Sequence, residues 1–315
     1  FLVSEGSWRS KAKIAKEQGA IAVLLVKPSF AKENKRIKDH ILNPRMKMHN
    51  SKKVLNNEIP LFYISQDFVN NLNSSEKKQV SFHTSVNNVA LAENVLGYIP
   101  GKNQEEVLVL SAHYDHIGFD QGEVCNGADD DGSGTAALLS ISKAFQNAYE
   151  AGHQPERSIL FLSVSGEEKG LFGSKFYTEN PVFQLSKTIA NLNIDMVGRR
   201  DTIQPDDNYI YLIGSDKISK DLHLINEQIN ENHIGFNLDY TYNKDSDPNK
   251  FYYRSDHYNF AKNNVPVIFY FGGLHEDYHK PTDQIDKINF SKLEKVSQYV
   301  FLTAWELANR KESLK

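Results

Sequence analysis

From Glu105 to the C terminus, short apolar runs alternate with longer amphipathic stretches, and this rhythm constrains the fold more than any other feature. EVLVLSAH (106–113), RSILFLSVSG (157–166), TIANLNIDMV (188–197), NYIYLIGS (208–215) and VPVIFYF (265–271) have the length and composition of buried strands. Between or after them, residues 133–152, 171–180, 219–232, 255–263 and 291–310 carry apolar side chains at helical spacing. Strands alternating with helices over some 200 residues predict an α/β sheet covered on both faces.

The first 80 residues are less regular. Ser10 to Gln18 reads as a helix stopped by Gly19, AIAVLLV (20–26) as a strand buried on both faces, 59–65 as a strand and Gln66–Asn73 as a short helix. Residues 79–98 alternate polar and apolar side chains, as paired strands do. Between Lys27 and Lys53, nine Lys or Arg stand against two acids. A solvated surface loop is the plain reading of 27–58, and a flap toward an anionic substrate the alternative. The expected boundary lies between 80 and 90, dividing the chain into 1–85 and 86–315.

Composition removes several functions. Thirty-six Lys and Arg against 40 Asp and Glu leave a net charge of −4, so no overall basic field draws the chain onto nucleic acid. No apolar run approaches the roughly 18 residues of a membrane span. The single Cys excludes a disulfide framework and a multi-cysteine zinc or iron–sulfur site. That residue, Cys125, has no accompanying Cys/His/Asn pattern of a thiol catalyst. The first residue is Phe1 and nothing after it resembles a signal peptide, so the chain reads as a processed or trimmed product.

Side chains that bind metals follow each strong strand. His113 and Asp115 follow the first, Glu167 and Glu168 the second, Asp195 the third, and His275 to His279 the fifth. GADDDGSG (127–134) places three acids in a glycine-rich turn before the first of these helices. Each feature alone has a structural reading: a His–Asp pair, an ordinary acidic turn or calcium loop, charge at a helix start. Functional groups of open α/β sheets gather at the carboxyl ends of strands, and all of these lie there. Histidines with carboxylates suit zinc. Two zinc ions can share a bridging carboxylate, with a non-ligand carboxylate beside them as base.

YIPGKNQEEVLVLSAHYDHIG, NGADDDGSGTAALL, SVSGEEKGLFGS, NIDMVG and YHKPTDQIDKI resemble, in order, the motifs of the co-catalytic zinc aminopeptidase superfamily. That group also includes glutamate carboxypeptidase II, the transferrin receptor and glutaminyl cyclase. The resemblance covers about residues 85–315 and implies a mixed, mostly parallel sheet with helices on both faces. Residues 1–80, through KIAKEQGAIAVLLV and EIPLFYISQDFVNNL, resemble the later part of a protease-associated domain. The peptidase segment that normally precedes that insert is missing from the match, which implies a sheet lacking edge elements.

The resemblance implies that His113 and Asp195 hold one zinc, that Glu168 and His279 hold the other, and that Asp130 bridges them. It also implies a cis peptide between Asp130 and Asp131, with Glu167 as general base and Asp115 orienting His113. Tyr278 would hydrogen-bond the oxyanion. Asp256 and His257 occupy a motif near the pocket and read equally as helix-start charge and a packed His. The implied activity is aminopeptidase, acting on peptides by attack of an activated water. A glutamate-releasing carboxypeptidase using Arg199, Arg200 or Arg254, a one-zinc glutaminyl cyclase and a receptor-like binding module are the alternatives. By the same analogy the protein is expected to be exported (periplasmic, secreted or at the cell surface), with room for a membrane anchor before Phe1.

Overall fold

Alternate residues of one strand, Asn103–His113, face opposite ways and set the layering. Leu108, Leu110 and Ala112 enter one buried cluster, while Val107 and Val109 enter another. A strand apolar on both faces is stable only with cover on both. The computed structural model describes residues 8–26, 48, 59–72, 90–120, 122–312 and 314, and the chain separates into two compact units, 1–89 and 90–315.

In the first unit, helix α1 (Trp8–Glu17) precedes strand β1 (Val23–Val26), which pairs in parallel with β2 (Leu61–Ile64), followed by α2 (Gln66–Leu72). Here one expectation is corrected. The apolar run 20–26 is not a strand buried on both faces: only four of its residues form the strand, they are half-buried or exposed, and Ile21 is 87% exposed. Among the described residues β2 is its one strand partner, in a two-stranded sheet. The loop read over 27–58 lies outside the described residues apart from Met48, and so does the part of the 79–98 segment up to residue 89.

The second unit contains β3 (Val95–Ile99), β4 (Asn103–His113), a small ribbon of β5 (Gly118–Asp120) and β6 (Glu123–Cys125), β7 (Arg157–Val164) and β8 (Thr188–Asp195). Then come β9 (Tyr209–Ile213), β10 (Asn237–Asp239) and β11 (Val267–Phe271). Seven of them form one sheet in the order β10-β9-β11-β8-β4-β7-β3. The four central strands β11, β8, β4 and β7 run parallel, β10 is parallel to β9, and antiparallel pairings occur at β11–β9 and β3–β7. The sheet is therefore mixed and mostly parallel.

Helices α3 (Gly132–Glu150), α5 (Lys220–Ile229) and α7 (Phe290–Asn309) cover one face through Ile141, Phe145, Leu222, Val300 and Leu307. Helices α4 (Phe172–Glu179) and α6 (His257–Ala261) cover the other through Tyr177, Phe260 and Ala261. Among the described residues no helix is long and apolar enough to cross a membrane.

The core also holds a titratable group. His257 is fully buried, stacked on Phe269 with ring centroids 4.8 Å apart, and burial pushes its imidazole down to about 3. An unfolded chain takes up that proton near pH 6.5, while the folded one refuses it until about pH 3. Stability is thus lost as pH falls below 6.5. Urea unfolding of metal-free protein at pH 7.5 and pH 5 should show wild type losing about 2 kcal/mol more than His257→Phe.

Candidate metal centre

The four parallel central strands end at the same edge of the sheet, so their last residues and following loops face one another. β4 ends at His113 and β8 at Asp195. The loop after β7 supplies Glu167 and Glu168, and the loop after β11 supplies Tyr278 and His279. Asp130 comes from the turn before α3.

That turn is held by the acids on either side of it. Asp131 caps α3: its Oδ1 accepts from the Gly134 N–H at 2.9 Å and the Met196 N–H at 3.1 Å, and its Oδ2 from the His113 N–H at 3.1 Å. One carboxylate thereby ties together α3 and the ends of β4 and β8. Gly134 leaves the room this needs, since a Cβ there would stand 2.3 Å from Asp131 Oδ1. Asp129 accepts from the Gly198 N–H at 2.6 Å and faces His275 Nε2 at 3.2 Å. Asp283 accepts from the backbone N–H groups of both Asp129 and Asp130. The Asp130–Asp131 peptide is cis.

Asp130 stands between two groups of donors. On one side, His113 Nε2 lies 3.3 Å from Asp130 Oδ1 and 3.6 Å from Asp195 Oδ1. On the other, His279 Nε2 lies 3.1 Å from Asp130 Oδ2 and 3.3 Å from Glu168 Oε2. Ligands about 2.0–2.2 Å from one zinc, at angles from about 90° to tetrahedral, lie about 2.8–3.6 Å apart, and these separations fit. Asp130 Oδ2 and Glu168 Oε1 are buried without a hydrogen bond from the chain, which suits oxygens that share a cation. His113 Nδ1 lies 3.0 Å from the Asp115 carbonyl, which accepts its proton and leaves Nε2 with a free lone pair.

The structure brings His113, Asp130, Glu168, Asp195 and His279 together although they are spread over the sequence. Glu167 lines the same cleft without closing either group of donors, and burial pushes its carboxyl well above the usual range. Asp115 stands beside His113 and also holds the backbone of Glu167. Its backbone carbonyl lies 3.0 Å and its carboxylate Oδ1 3.7 Å from His113 Nδ1, and Oδ1 also accepts from the Glu167 N–H at 3.1 Å. Tyr278 stacks on His279 at 3.8 Å and its hydroxyl lies 3.4 Å from Arg254. Asp256 and His257 do not line the cleft: Asp256 accepts from Ser174, and His257 is packed in the core. Arg199 pairs with Asp277 at 3.0 Å and Arg200 with the Pro205 carbonyl, so of the three arginines only Arg254 lines the cleft.

Three features escaped sequence reasoning. His116, three residues after His113, has its Nδ1 2.9 Å from Glu168 Oε1 and groups with Asp130 and Glu168 as a further set of donors. Counting one histidine per strand end passed over it. A buried polar chain also leads to Asp195: Asn191 donates to Ser111, Ser111 to Asn193, Asn193 to Ser255, and Ser255 to Asp195 at 2.6 Å. Its signal was Asn191, Asn193 and Asp195 at period two in an otherwise apolar strand. Finally, Met196, Phe251, Phe269, Phe271 and Leu274 form an apolar wall of the cleft. These residues come from four loops and strands and carry no joint signal in the sequence.

Known proteins resemble this chain in sequence and fold. The model of Peptidase family M28 matches residues 94–304. A probable leucine aminopeptidase of Arthroderma otae is 31% identical over 221 residues, covering 68% of this chain and 57% of that protein. An aminopeptidase of Bacillus subtilis is 24% identical across 100% of this chain and 63% of its own length. The chain thus spans less than two thirds of either relative. The solved structure of a zinc aminopeptidase from Bacillus subtilis superposes with a TM-score of 0.58 at 22% identity, over 99% of this chain and 70% of that one, a likeness of fold.

The clamp made by Asp131 predicts a stability effect separate from metal binding. Asp131→Ala strands three buried N–H groups, each costing about 1–3 kcal/mol, so urea unfolding of chelator-treated protein should show a loss of about 3 kcal/mol or more. Asp131→Asn, which keeps one acceptor oxygen, should fall between the two.

Proposed function

The chain belongs to peptidase family M28, and from that premise we propose that it is a two-zinc aminopeptidase with Glu167 as its general base. The observation that carries this reading is Asp130, whose two oxygens face different donor groups, His113 with Asp195 and Glu168 with His279. A shared carboxylate between two such groups is what a pair of ions about 3.5–4 Å apart requires. The zinc pair, when bound, supplies Lewis acidity that polarises the scissile carbonyl and makes water acidic near neutral pH.

The residues of the chain divide the remaining work. Glu167, held through its backbone N–H by Asp115, takes the proton of the attacking water and passes it to the leaving amine. Tyr278, steadied by Arg254 and by stacking on His279, donates its hydroxyl to the oxyanion of the tetrahedral species. The acidic edge of the cleft suits a free α-amino group, and its wall of phenylalanines, Leu274 and Met196 suits an apolar first side chain. A panel of aminoacyl arylamides should therefore rank leucine and phenylalanine above aspartate and lysine.

Two measurements test the core of this reading. Elemental analysis of zinc-loaded protein should approach two metals per chain; a value near one, unaffected by His113→Ala, would turn the reading toward a cyclase. Glu167→Gln should keep both metals and the fold while kcat falls at least about 10²–10⁴-fold with KM little changed. Glu168→Gln should instead lose metal. Full activity in Glu167→Gln would end the mechanism, and metal loss there rather than in Glu168→Gln would exchange the two roles.

A further inference from the structure

The buried imidazole of His116 has no place in the machinery described so far. Its side chain is 9% exposed and stands against Gly127, where a Cβ would meet the ring at 2.5 Å. Gly127 also takes φ +61°, so the turn is shaped to accept the ring. Nδ1 lies 2.9 Å from Glu168 Oε1 and 3.9 Å from Asp130 Oδ2. At 2.9 Å a hydrogen bond would be expected, yet neither ring nitrogen nor Glu168 Oε1 has a partner in hydrogen-bond geometry. Two donor atoms this close with no hydrogen bond between them are placed as ligands of one cation are placed.

We propose that His116 is a direct ligand, through Nδ1, of the divalent ion held by Asp130 and Glu168, adding a second imidazole to the one that His279 supplies. The inference rests on the two-metal reading above and deepens it. It makes the two metal positions unequal: the His113 position has one imidazole and two carboxylates, and the other has two imidazoles and two carboxylates. Extra imidazole donors favour zinc, cobalt or cadmium over magnesium or calcium. The position with His116 should therefore fill first and empty last. It should also keep three protein donors when His279, the most exposed of the set with a side chain 38% exposed, is removed.

The decisive experiment reads metal–nitrogen bonds and not activity. In protein labelled with ¹⁵N-histidine and loaded with ¹¹³Cd, three imidazole nitrogens should show one-bond coupling to cadmium, assigned to His113, His116 and His279. His116→Gln should remove one coupling and weaken the tighter of the two metal sites at least about tenfold in chelator competition. His279→Ala should still hold an ion at this position, and the His116→Gln/His279→Ala double variant should not. Two bound ions with coupling to His113 and His279 alone would overturn the role of His116 and leave the two-metal reading standing. A single bound ion coupled to His113 alone would overturn both.

Discussion

Everything in the site depends on how three consecutive carboxylates are held before α3. Asp129, Asp130 and Asp131 are all buried, a cluster of like charges that folding opposes unless each has a separate task. The outer two take backbone N–H groups from β4, β8 and the loop after β8, so they behave as fixed acceptors in the frame. The middle one is left to face the cleft. Because Asp131 binds the N–H of His113 itself, the same carboxylate that starts the helix also sets the position of the first imidazole. A small slip of the turn would move the donors on both sides of Asp130.

The parallel arrangement of β11, β8, β4 and β7 does the rest. Parallel neighbours end on the same side, and each strand is too buried to shift its register without moving apolar residues out of the two cores. Asp195 is further fixed from beneath by the Asn191–Ser111–Asn193–Ser255 chain, which satisfies polar groups the sheet interior would otherwise leave stranded. The site is thus built on the rigid part of the fold, with Tyr278 and His279 brought in by a loop.

How much of this was readable follows from the range of each signal. Strand and helix periodicity is local, and the longer elements from 103 to 309 lie within a few residues of where apolar spacing puts them, while the three-residue strands β5, β6 and β10 are too short to carry such a signal. The resemblance implied the five candidate donors; four of them follow the ends of β4, β7, β8 and β11, which topology brings to one edge, while Asp130 lies in the turn before α3. His116 was not readable, because nothing local separates a ligand from a neighbour in HYDH; only Gly127, on the far side of a ribbon, creates its space. The resemblance implied that Asp115 orients His113; that its carboxylate also takes the Glu167 N–H is a matter of loop geometry with no local signal. AIAVLLV misled for the opposite reason, since hydrophobicity reports a preference for burial but not whether the fold supplies cover.

The order of strands in the sheet differs from their order in the chain, and this bears on when the site can exist during synthesis. Of the seven strands of this sheet β11 comes last in the chain, yet it belongs between β8 and β9, both completed more than 50 residues earlier. On a ribosome adding about 5–20 residues per second, β8 and β9 wait several seconds with their facing edges unpaired. Asp195 has no Ser255 to steady it in that interval, and the loop bearing Tyr278 and His279 has not been made. A nascent chain therefore carries most of the candidate donors but no finished cleft, and a chain broken off before residue 267 carries an open sheet edge where β11 belongs.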